Sequence, residues 1–347
     1  MDFRLSEQFY EISAALIAAF IITIIAIKLL YLIAKRIDLI DHPNERKYHT
    51  QKIPVIGGIS MFLGFAFGLM ILPIDFNIIK GFFLALMLIV MLGAIDDYHP
   101  QSHWLRLSFQ LLAGLILINI SNIQIHSLGN IIGMGNFTLE VSSTLITLIA
   151  VAGAINSINF IDGMDGIAGG VSLVTIISII ILSYNSLDLI LVQLALLILI
   201  VLIPFMFFNL GKTNKIFMGD AGSMFLGLGI IVVLIGLSQG SEAVFRPITV
   251  LWIFALPLID LLFVIFRRVL NRESPFLPDR RHIHYLFVKI GVSDKLALFY
   301  VLSISGIFAT IGIFSELMAV AEWKMFTLFI ASSILYSGTL LYFDKHS

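Results

Sequence analysis

Long apolar runs, each closed by a short polar cluster, make up most of this chain, and their lengths set the first expectation. At about 20 residues per membrane crossing, the runs predict eleven helices, centred near 12–34, 53–72, 78–95, 105–121, 142–158, 166–183, 187–208, 219–237, 248–266, 296–314 and 325–343. The fifth runs directly into a polar motif, and the entry to the eighth is equally abrupt. No soluble insertion of about 50 residues fits between the runs, and neither an internal repeat nor a low-complexity tract is visible, so a single membrane domain over 1–347 is expected. The first run, from Ile12 to Ala34, exceeds a signal-peptide core and lacks a basic flank beyond Arg4, which predicts a retained span.

Composition agrees with that pattern. Of 347 residues 59% are hydrophobic and 12% charged, against roughly 25% charged in a soluble domain. The expected fold class is an all-α, polytopic integral membrane protein. Its net charge of -1 carries little meaning, because placement of charge governs a membrane protein; no nucleic-acid partner is expected, and with no cysteine the redox compartment is unreadable.

Placement is informative. Lys35, Arg36, Arg46, Lys47 and Lys52 follow the first span, Arg106 the third, Lys212 and Lys215 the seventh, and Arg267, Arg268, Arg272, Arg280, Arg281, Lys289 and Lys295 the ninth, whereas the even loops carry only Lys80, Arg246 and Lys324. The positive-inside rule then puts the odd loops in the cytoplasm, the N-terminus outside and the C-terminus inside. Four polar clusters fall at odd-loop helix ends: GAIDDYHP (93–100), NSINFIDGMDGIAGG (156–170), NKIFMGDAGS (214–223) and PDRRHIHY (278–285). Segments far apart in sequence are thereby expected on one membrane face.

Each cluster has a plainer reading when taken alone. Asp96 and Asp97 read equally as a solvated helix end, Asp220 reads better as an N-cap opening the eighth helix, and Arg267 and Arg268 read better as interfacial anchors. His282 and His284 form a weak metal signal by themselves. Coincidence of all four clusters on one face favours function. In the second cluster, Asn156, Asn159, Asp162 and Asp165 recur every third residue, a spacing that drifts across about half of a helix circumference, so a break is expected near Gly163. A calcium loop fits poorly, since the alternating ligands and terminal glutamate are missing. Carboxylates, amides, arginines and histidines together suit a phosphate ligand with a hard divalent cation between, Mg²⁺ or Mn²⁺, and hence metal-assisted phosphoryl transfer with a lipid participant.

These residues resemble the bacterial polyprenyl-phosphate N-acetylhexosamine-1-phosphate transferases. The resemblance runs through DHPNERKYHTQKIPVIGGI (41–59), the Asp96–Asp97 pair, NSINFIDGMDGIAGG, NLGKTNKIFMGDAGS (209–223), LPLID (256–260) and SPFLPDRRHIHYLF (274–287). It implies UDP-GlcNAc as donor, undecaprenyl phosphate as acceptor, UMP as leaving product, Mg²⁺ as cofactor and a lipid-linked product priming a cell-surface polysaccharide such as O-antigen lipopolysaccharide, in the bacterial inner membrane with the site on its cytoplasmic face. Another UDP-N-acetylhexosamine, and a homodimer, stay open.

The same resemblance assigns residues. It implies Asp220 as metal ligand with Asn159 as a second; Asp96 and Asp97 as the catalytic pair near the lipid phosphate and Asp165 as a further catalytic acid; and Phe217 packed on uracil, with Asn156, Asp162 and Asn209 on the substrate side. Arg281, His282 and His284 match the segment that grips the diphosphate, and Lys47 and His49 the basic pattern of the first loop, while Tyr285 stands where the family pattern has a further histidine. Because a phosphate monoester is mostly a dianion at neutral pH, Asp96 and Asp97 are expected to position groups for a direct displacement, in preference to forming an aspartyl-phosphate. Two rivals come from other classes. An ion-coupled transporter would carry acids near the midplane, where Asp260 is the one candidate and more simply pairs with an arginine or a neighbouring helix; a prenyltransferase would space its aspartates by four.

Overall fold

A computed structural model describes residues 3–41, 52–186, 189–272, 287 and 291–346. Each of the eleven predicted segments is helical. The helices are α1 (Phe3–Ile37), α2 (Gly57–Ile71), α3 (Phe76–Tyr98), α4 (His103–Ser121), α5 (Ser143–Ile161), α6 (Ile167–Leu182), α7 (Ile190–Leu210), α8 (Gly219–Ser238), α9 (Pro247–Ile253), α10 (Ala255–Leu270), α11 (Asp294–Leu317) and α12 (Glu322–His346). Among the described residues, eight are long and apolar enough to cross a membrane alone, or nine if α9 and α10 count as one span, while α2 and α6 are shorter apolar helices. The chain is a multi-pass, all-α membrane protein.

Local chemistry sets many of the boundaries. Asp75 caps α3 by accepting from Asn77 N at 2.9 Å, and Ser102, shortly after Pro100, caps α4 by accepting from Leu105 N at 3.2 Å. Pro247 opens α9, where its missing N–H costs nothing. The single span expected over 248–266 is instead broken, with α9 and α10 meeting at 80° about Phe254. That bend turns α10 against α5 and α11 and corrects a second expectation. Arg267 and Arg268 are not surface anchors but buried, at 8% and 3% exposure. Asp260, on the same helix, is 1% exposed. Ionisable groups inside a bundle turn inward because hydrocarbon cannot solvate them.

The centre of the bundle is α8, almost wholly buried and packed by α2, α3, α5 and α7. Its approach to α3 is set by small residues. A Cβ on Gly93 would stand 2.5 Å from Ala221 Cα, so even alanine there would push α3 off the start of α8. A two-stranded ribbon, β1 (Ile40–Asp41) against β2 (Ile53–Pro54), brackets the first loop and registers Ile40 with Pro54. From β2 the chain continues into a backbone clamp on the segment before α8. Phe217 N donates to Pro54 O at 2.9 Å, Gly57 N to Phe217 O at 2.9 Å and Gly58 N to Met218 O at 2.9 Å. The start of α8 is thus held from two sides.

Candidate active site

The site grows from that clamped helix start. Asp220 lies in the first turn of α8 but does not cap it. The cap comes from another helix. Asp97, near the end of α3, accepts from Asp220 N at 2.7 Å and from Ala221 N at 3.1 Å, one through each carboxylate oxygen. An anion on the first N–H groups of a helix satisfies orphan donors and meets the positive end of the dipole. Gly219 makes room with φ at +73°, and a Cβ there would sit 2.5 Å from Asp97 Oδ2. With its own backbone N–H given to Asp97, Asp220 keeps its side chain for the site.

Across from it, α4 contributes Arg106. Its Nη1 is 2.9 Å from Asp96 Oδ2 and 3.4 Å from Asp220 Oδ2, and its Nη2 donates to Asn159 Oδ1 at 2.8 Å. Asn159, on the last turns of α5, donates its amide to Asp220 Oδ1 at 2.6 Å and to Ser223 Oγ at 2.9 Å. Asp96 is 6% exposed and accepts from Gln101 N at 2.5 Å through its other oxygen. It is therefore no solvated helix end. Four helices, α3, α4, α5 and α8, meet in one charge-assisted network. One turn deeper, Asn156 and Gln110 exchange amide hydrogen bonds at 2.7 and 3.3 Å, and Asn156 also donates to Ala152 O at 2.8 Å. That pair locks α4 to α5 beneath the network.

The predicted helix break is present. α5 ends at Ile161, Asp162 follows it, and α6 begins at Ile167 behind Gly166 at φ +80°. Asn209, 5% exposed at the end of α7, accepts from Gly166 N at 2.8 Å and donates to Ile216 O at 3.0 Å, tying the turn to the segment that leads into α8. Lys215 pairs with Asp165 and also stands 5.5 Å over the ring of half-buried Phe217. Asp162 is pushed up to about 8, first by burial and then by the charges of Asp220 and Asp165. The region gathers acidic groups, five carboxyls (Asp96, Asp97, Asp162, Asp165, Asp220) beside Arg106 and Lys215.

Of the residues singled out in the sequence, Asp96, Asp97, Asn159 and Asp220 meet directly. Asp162, Asp165, Asn209 and Phe217 line the adjoining turns, and Asn156 lies below as a helix lock. Lys47, His49, Arg281, His282, His284 and Tyr285 lie outside the described residues. Among the described residues no three His, Cys, Asp or Glu side chains are arranged as a ready-made metal cage. Sequence reasoning missed Arg106, Gln110, Ser223 and Lys215. By sequence alone Arg106 and Lys215 carry only a topogenic reading. For Arg106, the spacing of four to Gln110, which puts both on one face of α4, was the available signal.

Comparison with known proteins identifies relatives of this chain. The sequence profile of glycosyl transferase family 4 matches residues 79–238, the stretch running from the Asp96–Asp97 helix through α8. The undecaprenyl-phosphate alpha-N-acetylglucosaminyl 1-phosphate transferase of Pasteurella multocida is 36% identical over 330 residues, covering 94% of this chain and 92% of the relative. The proteins of the same name from Haemophilus influenzae and Escherichia coli K12 are 35% identical over 308 residues and 33% identical over 333, covering 88% and 94% of this chain and 87% and 90% of the relatives. With its polar network inside the matched stretch and its identity to these relatives spread over nearly the whole length, the chain belongs to the family of undecaprenyl-phosphate N-acetylglucosaminyl 1-phosphate transferases.

Proposed function

We propose that the protein transfers GlcNAc-1-phosphate from UDP-GlcNAc to undecaprenyl phosphate, releasing UMP and leaving a lipid-diphosphate-linked sugar that primes a cell-surface polysaccharide. The observation that carries this reading is the convergence of Asp96, Asp97, Arg106, Asn159 and Asp220 at one pole of a membrane bundle. A lipid phosphate and a nucleotide diphosphate can meet at such a pole without either leaving its own phase.

In the reaction an acceptor phosphate oxygen bonds to the donor's β-phosphorus while the bond from that phosphorus to the bridging oxygen breaks, and the oxygen leaves with UMP. The acceptor phosphate, with a second pKa near 6, is mostly a dianion at pH 7 and needs no base. Both oxygens of Asp97 are committed to backbone N–H groups, which suits a positioning role and not that of a nucleophile. Arg106 offers a planar donor set to phosphate oxygens, and Phe217, with Lys215 beside it, offers a face and a charge to the nucleotide.

The donor set fits a hard divalent cation. Oxygen ligands predominate, and the carboxylates outnumber the two cations, so that charge is left to be balanced. Asp220 and Asn159 Oδ1 are the residues that would hold Mg²⁺ or Mn²⁺. Such an ion neutralises charge that builds on phosphoryl oxygens.

Orientation follows the cations of the odd loops. The ends at the site are the start of α2, the end of α3, the start of α4, the end of α5, the start of α6, the end of α7 and the start of α8. Strict alternation of this kind supports α2 and α6 as full crossings despite 15 and 16 residues. Eleven crossings result, with α9 and α10 as one, the N-terminus outside and the site at the cytoplasmic face of a bacterial inner membrane. The test offers purified protein, Mg²⁺ and undecaprenyl phosphate a panel of labelled UDP-sugars. UDP-GlcNAc is expected to give UMP and lipid product fastest, and faster turnover of another UDP-N-acetylhexosamine would reassign the donor.

A further inference from the structure

Arg106 presents a conflict that the rest of the site does not resolve. Asn159 has one oxygen, and Arg106 Nη2 already holds it at 2.8 Å, while the amide nitrogen is committed to Asp220 and Ser223. Nη1 of the same guanidinium stands 3.4 Å from Asp220 Oδ2. The atoms that a divalent cation would take from this pair are those a guanidinium now occupies. Two cations on one pair of oxygens repel strongly at such distances.

We propose that Arg106 is a resident competitor of the metal. In the free protein it stands in as the site's cation and keeps α3, α4, α5 and α8 in register. It yields Asp220 and Asn159 when a divalent ion arrives together with an anionic diphosphate that gives the guanidinium a new partner. The inference rests on reading Asp220 and Asn159 as metal ligands.

Geometry supports the exchange. The contact to Asp96 is the tighter of the two carboxylate contacts, 2.9 Å against 3.4 Å, and the Asp96 side chain is 3% exposed, so it serves as a fixed anchor. The Arg106 side chain, 21% exposed, reaches solvent and has a long, rotatable stem. Lys215 does not share this role, since it is held by Asp165 and lies over Phe217. Linkage then requires that metal and donor favour each other's binding, because the donor removes the competitor. The design keeps the free site in one arrangement without a bound ion.

The experiment titrates Mn²⁺ into the full-length protein by electron paramagnetic resonance, without nucleotide, alongside thermal melts. Arg106→Gln, which removes the competing charge, is expected to bind Mn²⁺ about tenfold more tightly or better. Its melting temperature should be lower than wild type in metal-free buffer and recover on adding Mn²⁺. Arg106→Lys keeps the charge but cannot span Asp96 and Asn159 together, so a smaller gain of about threefold is expected. It also decides the matter should the glutamine variant not fold. Unchanged or weaker Mn²⁺ binding in the folded variants would overturn the proposal. Wild-type Mn²⁺ binding that is indifferent to Asp220→Asn would instead overturn the placement of the metal, a separate failure with its own signature.

Discussion

Asp97→Asn separates positioning from covalent catalysis. In the native site both carboxylate oxygens accept, from Asp220 N at 2.7 Å and Ala221 N at 3.1 Å. The asparagine keeps one acceptor oxygen and turns an NH₂ toward the other N–H, so one donor loses its partner and the helix start loses its counter-charge. An unmet buried donor costs about 1–3 kcal/mol, and the lost dipole interaction adds about 0.3–1 kcal/mol. A fall in melting temperature of about 2–6 °C follows for a chain of this size. Asp220, whose N–H is released, shifts with the start of α8, and a displacement near 1 Å costs about 100-fold in rate. The expected variant is slow but retains lipid-dependent and metal-dependent UMP release. A rapid-quench assay of wild type with UDP-GlcNAc and no lipid should show no stoichiometric burst of UMP. A burst, or a phospho-sugar adduct trapped on Asp96 or Asp97 without acceptor, would refute the reasoning.

Asp162 is raised to about 8 from an ordinary 3.8. The folded state therefore favours its neutral form, and a penalty grows as pH climbs from about 4 through 8. Asp162→Asn should raise the melting temperature in metal-free buffer at pH 8, by the equivalent of about 1–2 kcal/mol after solvent screening, and leave it unchanged at pH 4; equal effects at both pH values would remove the charge explanation. Phe217→Ala should raise KM for UDP-GlcNAc several-fold with the lipid KM unchanged, and the reverse pattern would move the nucleotide elsewhere. Reporter fusions near Asn77 should read outside the cell and near Lys212 inside, and opposite readings would invert the orientation.

Where hydropathy governs, the fold was legible. Apolar runs placed each of the eleven helical segments, and the three-residue spacing of Asn156, Asn159, Asp162 and Asp165 foretold the break after Ile161. The kink at Phe254 had a signal in the sequence that hydropathy passes over, because α9 and α10 form one apolar run: Pro257 has no N–H for the carbonyl of Ile253, which accepts from Thr175 Oγ1 at 3.0 Å instead. The burial of Arg267 and Arg268 follows from that bend and was missed with it. Within the site, acids and amides were found because such groups are expensive in hydrocarbon and demand a reason. Arg106 escaped because a basic residue after an odd span already has a topological explanation. Its second role appears only when α3, α5 and α8 are brought around it. Asp97 likewise reveals its hold on the start of α8 only in three dimensions, since 123 residues separate it from Asp220.

If Asp220 holds the metal, these distant segments build one metal-dependent transfer site around it. The most direct measurement compares lipid-dependent UMP release by wild type and Asp220→Asn across an Mg²⁺ titration, with melting curves to establish that both are folded. Loss of a metal ligand removes several kcal/mol of charge stabilisation, so the variant should be slower by about 100-fold or more at saturating substrates while melting within a few degrees of wild type. Near-normal Mg²⁺-dependent turnover by folded Asp220→Asn would contradict the account.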